Sequence, residues 1–226
     1  MSSKKKVIIG LPGNTFSDRF MISWTSTIVD LLKDGEYDVL LSPGYSSFVT
    51  FSRMKTLGLD VMRGADQKPF NGMPYDVFLT IDSDMVFNPT QVKEIIKATE
   101  KHPVVSGLYM MADNEHFAAV KSWDTDYFLK NGSFEFLGRN DIKEGETEME
   151  VSYAGMGFFA CRSEVLNSLS YPYFWHPIVE LRGEDGKIVR DQVSEDVALC
   201  RNIQNAGYKI ILRTDIRVGH EKQIIL

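Results

Sequence analysis

The first half of the chain alternates between two spacings of apolar residues. Short apolar runs of the kind found in buried strands occupy residues 6–11, 38–41, 75–81 and 104–110. Between these runs, apolar residues recur three or four positions apart, which predicts helices; the first carries Phe20, Trp24, Ile28 and Leu31. This order of strands and helices predicts an α/β fold, with a mostly parallel sheet flanked by helices on both faces.

The second half has a less regular pattern. Residues 112–152 contain short strand candidates and an acidic stretch at 144–150, which predict a small antiparallel insert with a solvated loop. The sequence Asn131-Gly132-Ser133 is typical of a hairpin turn, here between strands at 127–129 and 134–137.

Two helices carry clear end signals. Asn88-Pro89 has the residue types preferred at an N-cap and a first helical position, which predicts a helix over 89–101. Ser194 begins a second helix that continues to Asn205, and Gly207 ends it. A last strand is predicted at 209–212.

Composition and charge narrow the function classes. The formal net charge is -6 and the longest basic run is residues 4–6, which argues against a nucleic-acid-binding protein. No apolar segment reaches the roughly 18 residues that span a bilayer, and no secretory leader is visible, so we expect a cytoplasmic protein without a membrane span. Cys161 and Cys200 lack metal-ligand spacing and are expected to be unpaired buried thiols.

The chemistry centres on Asp82-Ser83-Asp84, which directly follows the apolar run 75–81. Carboxylates at the carboxyl end of a strand lie where open α/β sheets bind ligands, and two of them can hold a divalent ion that a diphosphate shares. A second triplet of this kind, Asp124-Thr125-Asp126, has no apolar run before it. The first triplet is therefore the candidate ion site.

Three later features accompany this triplet. Gly155 and Gly157 precede an apolar strand, where they either let backbone approach a ligand or form a bulge or tight turn. Ser194-Glu195-Asp196 places two carboxylates in the first turn of a helix, where they either do chemistry or complement the helix dipole. His220 follows the last strand.

The ordered set of these four features resembles the GT-A glycosyltransferases, in particular the inverting members similar to glycosyltransferase family 2. The resemblance covers about residues 6–222 and implies a single-domain, Rossmann-like GT-A fold over 1–226. It also implies a nucleotide-binding half at about 6–111 and an acceptor-binding half at about 112–222. The expected activity is metal-dependent transfer of a sugar from a nucleoside-diphosphate sugar to a sugar or glycan hydroxyl, with inversion.

The resemblance assigns roles to the acidic motifs. Asp84, with Asp82 directly or through water, and His220 are expected to hold Mn²⁺ or Mg²⁺, since oxygen and imidazole ligands suit these ions. Asp82 is alternatively a ribose contact. Asp196 is expected to be the general base that takes the proton of the acceptor hydroxyl, with Glu195 contacting or orienting the acceptor.

Binding residues follow from the same resemblance. Arg53, on the helix after the second strand, is either directed towards the nucleotide or an ordinary surface arginine. The expected nucleotide contacts also include Pro12, Gly13, Asn14 and Ser83. The loop after the first strand departs from the family pattern, which leaves the base open: a UDP-sugar is favoured and a GDP-sugar is possible. The expected sugar contacts are Gly155, Met156, Gly157 and Trp175, although the aromatic run that contains Trp175 is equally consistent with a buried cluster.

Two other functions fit the same sequence. A sugar-1-phosphate nucleotidyltransferase shares the α/β first half and the need for a metal, but its phosphate loop is normally rich in glycine and basic residues. Residues 10–14 contain no Lys or Arg, and the next basic residue is Arg19. A non-catalytic relative that binds sugar nucleotide or glycan is the second alternative, because intact ligands do not establish turnover.

Overall fold

The computed structural model describes residues 4–184 and 186–222, which include a central sheet and six α-helices. The helices are α1 (Asp18–Asp34), α2 (Val49–Thr56), α3 (Pro89–Ala98), α4 (Thr125–Asn131), α5 (Ser163–Ser168) and α6 (Glu195–Asn205). The strands of the central sheet are β1 (Lys5–Pro12), β2 (Tyr37–Gly44), β3 (Val77–Ile81), β5 (Val104–Leu108), β7 (Glu148–Val151), β9 (Phe158–Arg162) and β12 (Ile210–Arg217). Three two-stranded sheets contain β4 (Met85–Val86) with β13 (Gly219–His220), β6 (Ala119–Val120) with β8 (Tyr153–Ala154), and β10 (Ile178–Arg182) with β11 (Ile188–Gln192).

The central sheet is mostly parallel, as predicted. Its strand order is β2-β1-β3-β9-β5-β12-β7. β1 pairs in parallel with β2 and β3, and β5 with β12, whereas β9 runs antiparallel to both β3 and β5. β7 pairs antiparallel with β12 at the edge. Five of the seven strands therefore share one direction, and their carboxyl ends meet at the same edge of the sheet.

Two apolar clusters cover the faces of this sheet. On β3, Val77, Leu79 and Ile81 belong to one cluster, which also contains buried residues of α1 and α3. Phe78 belongs to the other cluster, together with residues of α2, α5 and α6. Because β3 is covered on both faces, its apolar run is continuous rather than alternating.

The ends of the helices follow the predicted signals. Asn88 and Gln91 form a reciprocal capping box at the start of α3, with Pro89 in its first turn. α6 begins after Ser194, but the hydroxyl of Ser194 donates to Asp196 and makes no capping bond to the backbone. Gly207 adopts a φ of +88° just beyond the end of α6. The predicted helix over 89–101 is shorter in the structure, since α3 ends at Ala98.

The hairpin prediction at Asn131-Gly132-Ser133 is wrong. Residues 127–129 lie in α4, whose first turn is capped by the carboxylate of Asp124 accepting a hydrogen bond from the backbone N–H of Tyr127. Gly132 has a φ of +71° and ends this helix. An Asn-Gly pair supplies left-handed backbone both in tight hairpins and at helix ends, and the capping aspartate decides between them here.

The acidic stretch at 144–150 was predicted as a solvated loop, but its end forms β7. Met149 and Val151 are buried, whereas Glu148 and Glu150 point away from the core. This period of two is typical of a strand with one buried face, and it lets β7 close the edge of the sheet.

Two further predictions concern single features. Cys161 and Cys200 are both buried free thiols, as expected. Among the helices in residues 4–184 and 186–222, none has the length and apolar character needed to cross a membrane.

Candidate active site

Residues Asp82 to Asp84 follow β3 directly, at the edge where the parallel strands end. The backbone N–H of Asp82 donates to the carbonyl oxygen of Gly157 at 2.9 Å, and the N–H of Glu221 donates to that of Asp84 at 2.8 Å. In addition, β4 and β13 pair Met85 with His220. These backbone bonds bring the glycine segment and the C-terminal segment to the acidic triplet.

Asp84 and His220 lie in direct contact, as the sequence predicted. Nε2 of His220 is 3.2 Å from Oδ2 of Asp84, and Nδ1 is 2.7 Å from the carbonyl oxygen of Met110. A carbonyl oxygen only accepts hydrogen bonds, so Nδ1 carries a proton. Nε2 then either donates to Asp84, when the ring carries a proton there as well, or presents a lone pair beside the carboxylate to a bound cation.

Lys222 forms an ion pair with the same carboxylate. Its Nζ donates to Oδ2 of Asp84 at 2.6 Å. Burial by itself would raise the pKa of Asp84, but the hydrogen bonds from His220 and Lys222 outweigh it and lower the pKa to about 2. Asp84 is therefore ionised at neutral pH, and positive charge is already favoured at this position.

A divalent ion was expected here, and the donor set fits it in part. Within the described part of the chain, no group of three or more His, Cys, Asp or Glu side chains is arranged to hold a metal ion. The carboxylate of Asp84 and Nε2 of His220 supply two ligands of the types that suit Mn²⁺. Ions of this kind often take only one or two protein ligands and complete their shell with substrate phosphates and water.

Asp82 belongs to a different interaction. Its two carboxylate oxygens accept hydrogen bonds from Nη1 and Nη2 of Arg53, at 2.9 and 3.1 Å. Nε of Arg53 donates to Oε1 of Glu195 at 3.0 Å. The side chains of Arg53 and Glu195 are only 7% and 8% exposed. Arg53, which sequence reasoning directed towards the nucleotide or the surface, is thus buried between the two acidic motifs.

The charge of this ion-paired arginine is strongly favoured. Burial by itself would lower the pKa of Arg53, but the carboxylates of Asp82 and Glu195 outweigh it and raise the pKa above its ordinary value. A bidentate bond to one carboxylate and a single bond to another use all three guanidinium nitrogens. Arg53 therefore fixes the end of β3 to the first turn of α6.

Asp196 lies beside Glu195 but points into a separate set of partners. Oδ2 accepts a hydrogen bond from the hydroxyl of Tyr153 at 2.8 Å, and Oδ1 accepts one from the hydroxyl of Ser194 and one from the backbone N–H of Val197. Burial raises the pKa of Tyr153 well above its ordinary value, and the carboxylate of Asp196 adds to this effect. The phenol therefore stays protonated and donates to a half-exposed carboxylate.

Gly155 and Gly157 make room for the side chain of Tyr109. A Cβ at Gly155 would overlap the Tyr109 hydroxyl, and one at Gly157 would lie 2.9 Å from Tyr109 Cζ. The backbone N–H of Gly157 donates to this hydroxyl at 3.0 Å. Neither glycine has a positive φ. The two glycines thus allow a close approach of the Tyr109 side chain rather than of a ligand. Met156, which lies between them, is buried in the core.

The loop after β1 lies against the acidic triplet. Pro12 is buried at the end of β1, and Asn14 is exposed. Gly13 has a φ of +135°, and a Cβ on it would be 3.0 Å from Oγ of Ser83. The structure therefore brings Gly13 and Ser83 together, next to Asp82 and Asp84.

Trp175 is not brought to these residues. It lines a groove with Asn202 and Asn205, in the C-terminal half of α6, and with Ala206 just after the helix. Asp196 is in the first turn of the same helix, about 9 Å or more away along its axis at 1.5 Å per residue.

The sequence analysis did not identify two tyrosines that belong to the site. Tyr109 contacts Gly157, and its ring packs edge-on against His220 with centroids 5.2 Å apart. Tyr153 holds Asp196. A sequence signal existed for Tyr109, because it lies just past the apolar run of β5, at the carboxyl end of a parallel strand.

The mostly parallel central sheet, flanked by helices and accompanied by small antiparallel sheets, is consistent with a GT-A-like fold. No family model matches the chain, and no curated protein matches it by sequence. Several solved structures match the chain in fold. A197 from STIV is 16% identical with a TM-score of 0.54, and the alignment covers 97% of this chain and 86% of that protein. GalNAc-T7, solved with UDP, GalNAc and Mn²⁺, is 13% identical with a TM-score of 0.54. Its alignment covers 99% of this chain but 45% of that protein.

Proposed function

We propose that this chain is a metal-dependent glycosyltransferase that uses a nucleoside-diphosphate sugar and transfers the sugar, with inversion, to a carbohydrate hydroxyl. The observation that carries this proposal is the pair formed by Asp84 and Nε2 of His220 at the edge of the sheet. A similarity in fold to GalNAc-T7, whose structure contains UDP and Mn²⁺, supports the choice of ligands.

Asp84 and His220 would hold Mn²⁺, or alternatively Mg²⁺, and Met110 would keep Nδ1 of the imidazole protonated through its carbonyl oxygen. The bound ion would neutralise the charge that develops on the leaving diphosphate. Lys222 is half-exposed on a flexible stem, and it would turn from Asp84 to a phosphate oxygen. The site would thus keep its positive charge close to the leaving group.

The nucleotide would bind to the half of the chain at about 6–111. Gly13 and Asn14 would line the base and ribose, and Ser83 lies against Gly13. Both carboxylate oxygens of Asp82 already accept hydrogen bonds from Arg53. Asp82 would therefore contact the ribose only through the lone pairs that Arg53 does not use. A UDP-sugar is the favoured donor.

Asp196 would act as the general base for the acceptor hydroxyl, which would bind to the half at about 112–222. Tyr153 and Ser194 orient its carboxylate by hydrogen bonds. Glu195 would not reach the acceptor, because its carboxylate is buried against Arg53. Its role would be to position Asp196, the next residue along the chain.

A thermal-shift screen tests the binding step. UDP, GDP and their sugars would be added with and without Mn²⁺, and a ligand at 100 times its Kd should stabilise the protein by about 2.7 kcal/mol. Asp84→Asn should abolish the Mn²⁺-dependent part of the shift. The matched control is Asp126→Asn, which alters the second acidic triplet on the exposed start of α4 and should leave the shift unchanged. An unchanged shift in Asp84→Asn would refute the metal assignment.

A turnover assay tests the reaction itself. Asp196→Asn should retain nucleotide binding and lose release of the diphosphate in the presence of acceptor. NMR of the product should give the anomeric configuration opposite to that of the donor. Retention of configuration, or undiminished turnover by Asp196→Asn, would remove Asp196 as the base.

A further inference from the structure

A pocket outside the candidate active site lies between α4, the β10–β11 hairpin and α6. Its walls include Trp123, Phe134, Val179, Leu181, Asp124 and Arg201. Its interior cavity is about 40 Å³, enough for a few water molecules or one small charged group. A sugar ring would therefore lie across the mouth of the pocket, with only its charged group inside. We call this site the Trp123 pocket.

The cation of this pocket, Arg201, has no acidic partner among the described residues. The guanidinium of Arg201 lies over the ring of Trp123, 5.0 Å from its centroid. Across residues 4–184 and 186–222, no carboxylate lies within ion-pair distance of Arg201, although the side chain is partly buried. A guanidinium has five N–H donors in a planar fork that matches carboxylate, sulfate and phosphate oxygens. Arg201 is therefore oriented, and its donors remain available to an anion.

The aromatic wall of the pocket is held in place by neighbouring residues. Nε1 of Trp123 donates to Oε1 of Gln204 on α6 at 3.2 Å, and Phe134 packs edge-on against the indole with centroids 5.0 Å apart. Aromatic faces and edges offer flat apolar area to the C–H groups of a sugar ring. The opposite wall, Val179 and Leu181, is also apolar.

The pocket adjoins the candidate base. The rings of Trp123 and Tyr153 lie 6.4 Å apart between centroids, and the hydroxyl of Tyr153 donates to Asp196. Arg201 follows Asp196 on α6 by five residues, about 7.5 Å along the helix axis. One aromatic side chain thus separates the pocket from the carboxylate that would receive the acceptor proton.

We propose that the Trp123 pocket binds an anionic sugar residue of the acceptor, with Arg201 pairing with its negative group. The negative group enters the cavity beside Arg201, the sugar ring lies across the mouth, and Asp124 at the rim accepts hydrogen bonds from ring hydroxyls. This inference rests on the proposed function and adds the class of acceptor. The negative group is a carboxylate, a sulfate ester or a phosphate ester, since all three match a guanidinium.

Binding measurements on the protein without nucleotide or metal test the inference. The probes are methyl glucuronide, glucose 6-sulfate and glucose 6-phosphate, with methyl glucoside as the neutral control. Isothermal titration should give at least one charged probe a tenfold lower Kd than methyl glucoside, and the probe that binds best identifies the negative group. Arg201→Gln should remove this preference, whereas Arg201→Lys should retain part of it. Arg190→Gln is the matched control, because Arg190 is an exposed arginine of the neighbouring hairpin that pairs with Glu180.

The outcomes separate this inference from the proposed function. Equal affinities for charged and neutral probes in the wild-type protein, a comparison that needs no variant, would overturn the anionic pocket. So would an unchanged preference in a folded Arg201→Gln protein. Asp84→Asn should bind the charged sugars like the wild type, while losing Mn²⁺-dependent nucleotide binding. A wild-type protein that binds charged sugars but no nucleotide would refute the glycosyltransferase and leave the sugar pocket standing.

Discussion

Replacing Arg53 by methionine tests the buried charge cluster that joins the two acidic motifs. The change leaves the carboxylate of Glu195, 8% exposed, without its cation, while Asp82 at 27% exposure keeps contact with water. Removing one partner of a buried ion pair costs about 3–5 kcal/mol, because an uncompensated charge remains in a poorly solvated place. In a chain of this size, 1 kcal/mol shifts Tm by about 2–4 °C, so Tm should fall by about 6–20 °C.

The assay is urea unfolding followed by circular dichroism, with calorimetry for Tm. The double variant Arg53→Met, Glu195→Leu should recover most of the lost free energy of unfolding, because it also removes the buried carboxylate that Arg53→Met leaves without a cation. Arg190→Met is the control for an exposed pair. Its side chain and that of Glu180 are 69% and 47% exposed, so we expect a change of only about 0–1 kcal/mol. If Arg53→Met costs no more than this control, or if the double variant is no more stable than the single one, Arg53 does not bind the motifs together.

The remaining predictions concern the glycine segment, the candidate base and the thiols. Tyr153→Phe removes the hydrogen bond that holds the Asp196 carboxylate in place, so kcat should fall about tenfold to hundredfold through lost orientation, with nucleotide Kd unchanged; equal kcat would contradict this role. Gly155→Ala should destabilise by about 1–3 kcal/mol through overlap with the Tyr109 hydroxyl, and adding Tyr109→Phe should restore part of the loss in urea unfolding. Gly138→Ala is its control, because the nearest atom to that added Cβ is 3.4 Å away, and equal losses would refute the packing argument. Burial raises the pKa of both cysteine thiols above the ordinary value, so both should resist iodoacetamide in the folded protein and react in urea; rapid native labelling would contradict their burial.

Much of the fold was readable from the sequence because its signals are local. A fully buried strand such as β3 is a continuous apolar run, a capping box marks the start of α3, and a left-handed glycine follows the end of α6. The same local signals failed at Gly132, where a left-handed residue serves a helix end as well as it serves a hairpin. They also failed at β7, since a strand at the edge of a sheet that alternates acidic and apolar residues has the composition of a loop.

What the sequence by itself determined is which motifs exist and their order: Asp82 to Asp84 after a strand, Glu195 and Asp196 at the start of a helix, and a histidine near the end. Only the tertiary structure decided their partners. Asp84 meets His220 because β4 pairs with β13, and Asp82 meets Glu195 through Arg53, which is 142 positions from that glutamate. Contacts across such separations depend on how strands and helices pack, which no local pattern of residues records.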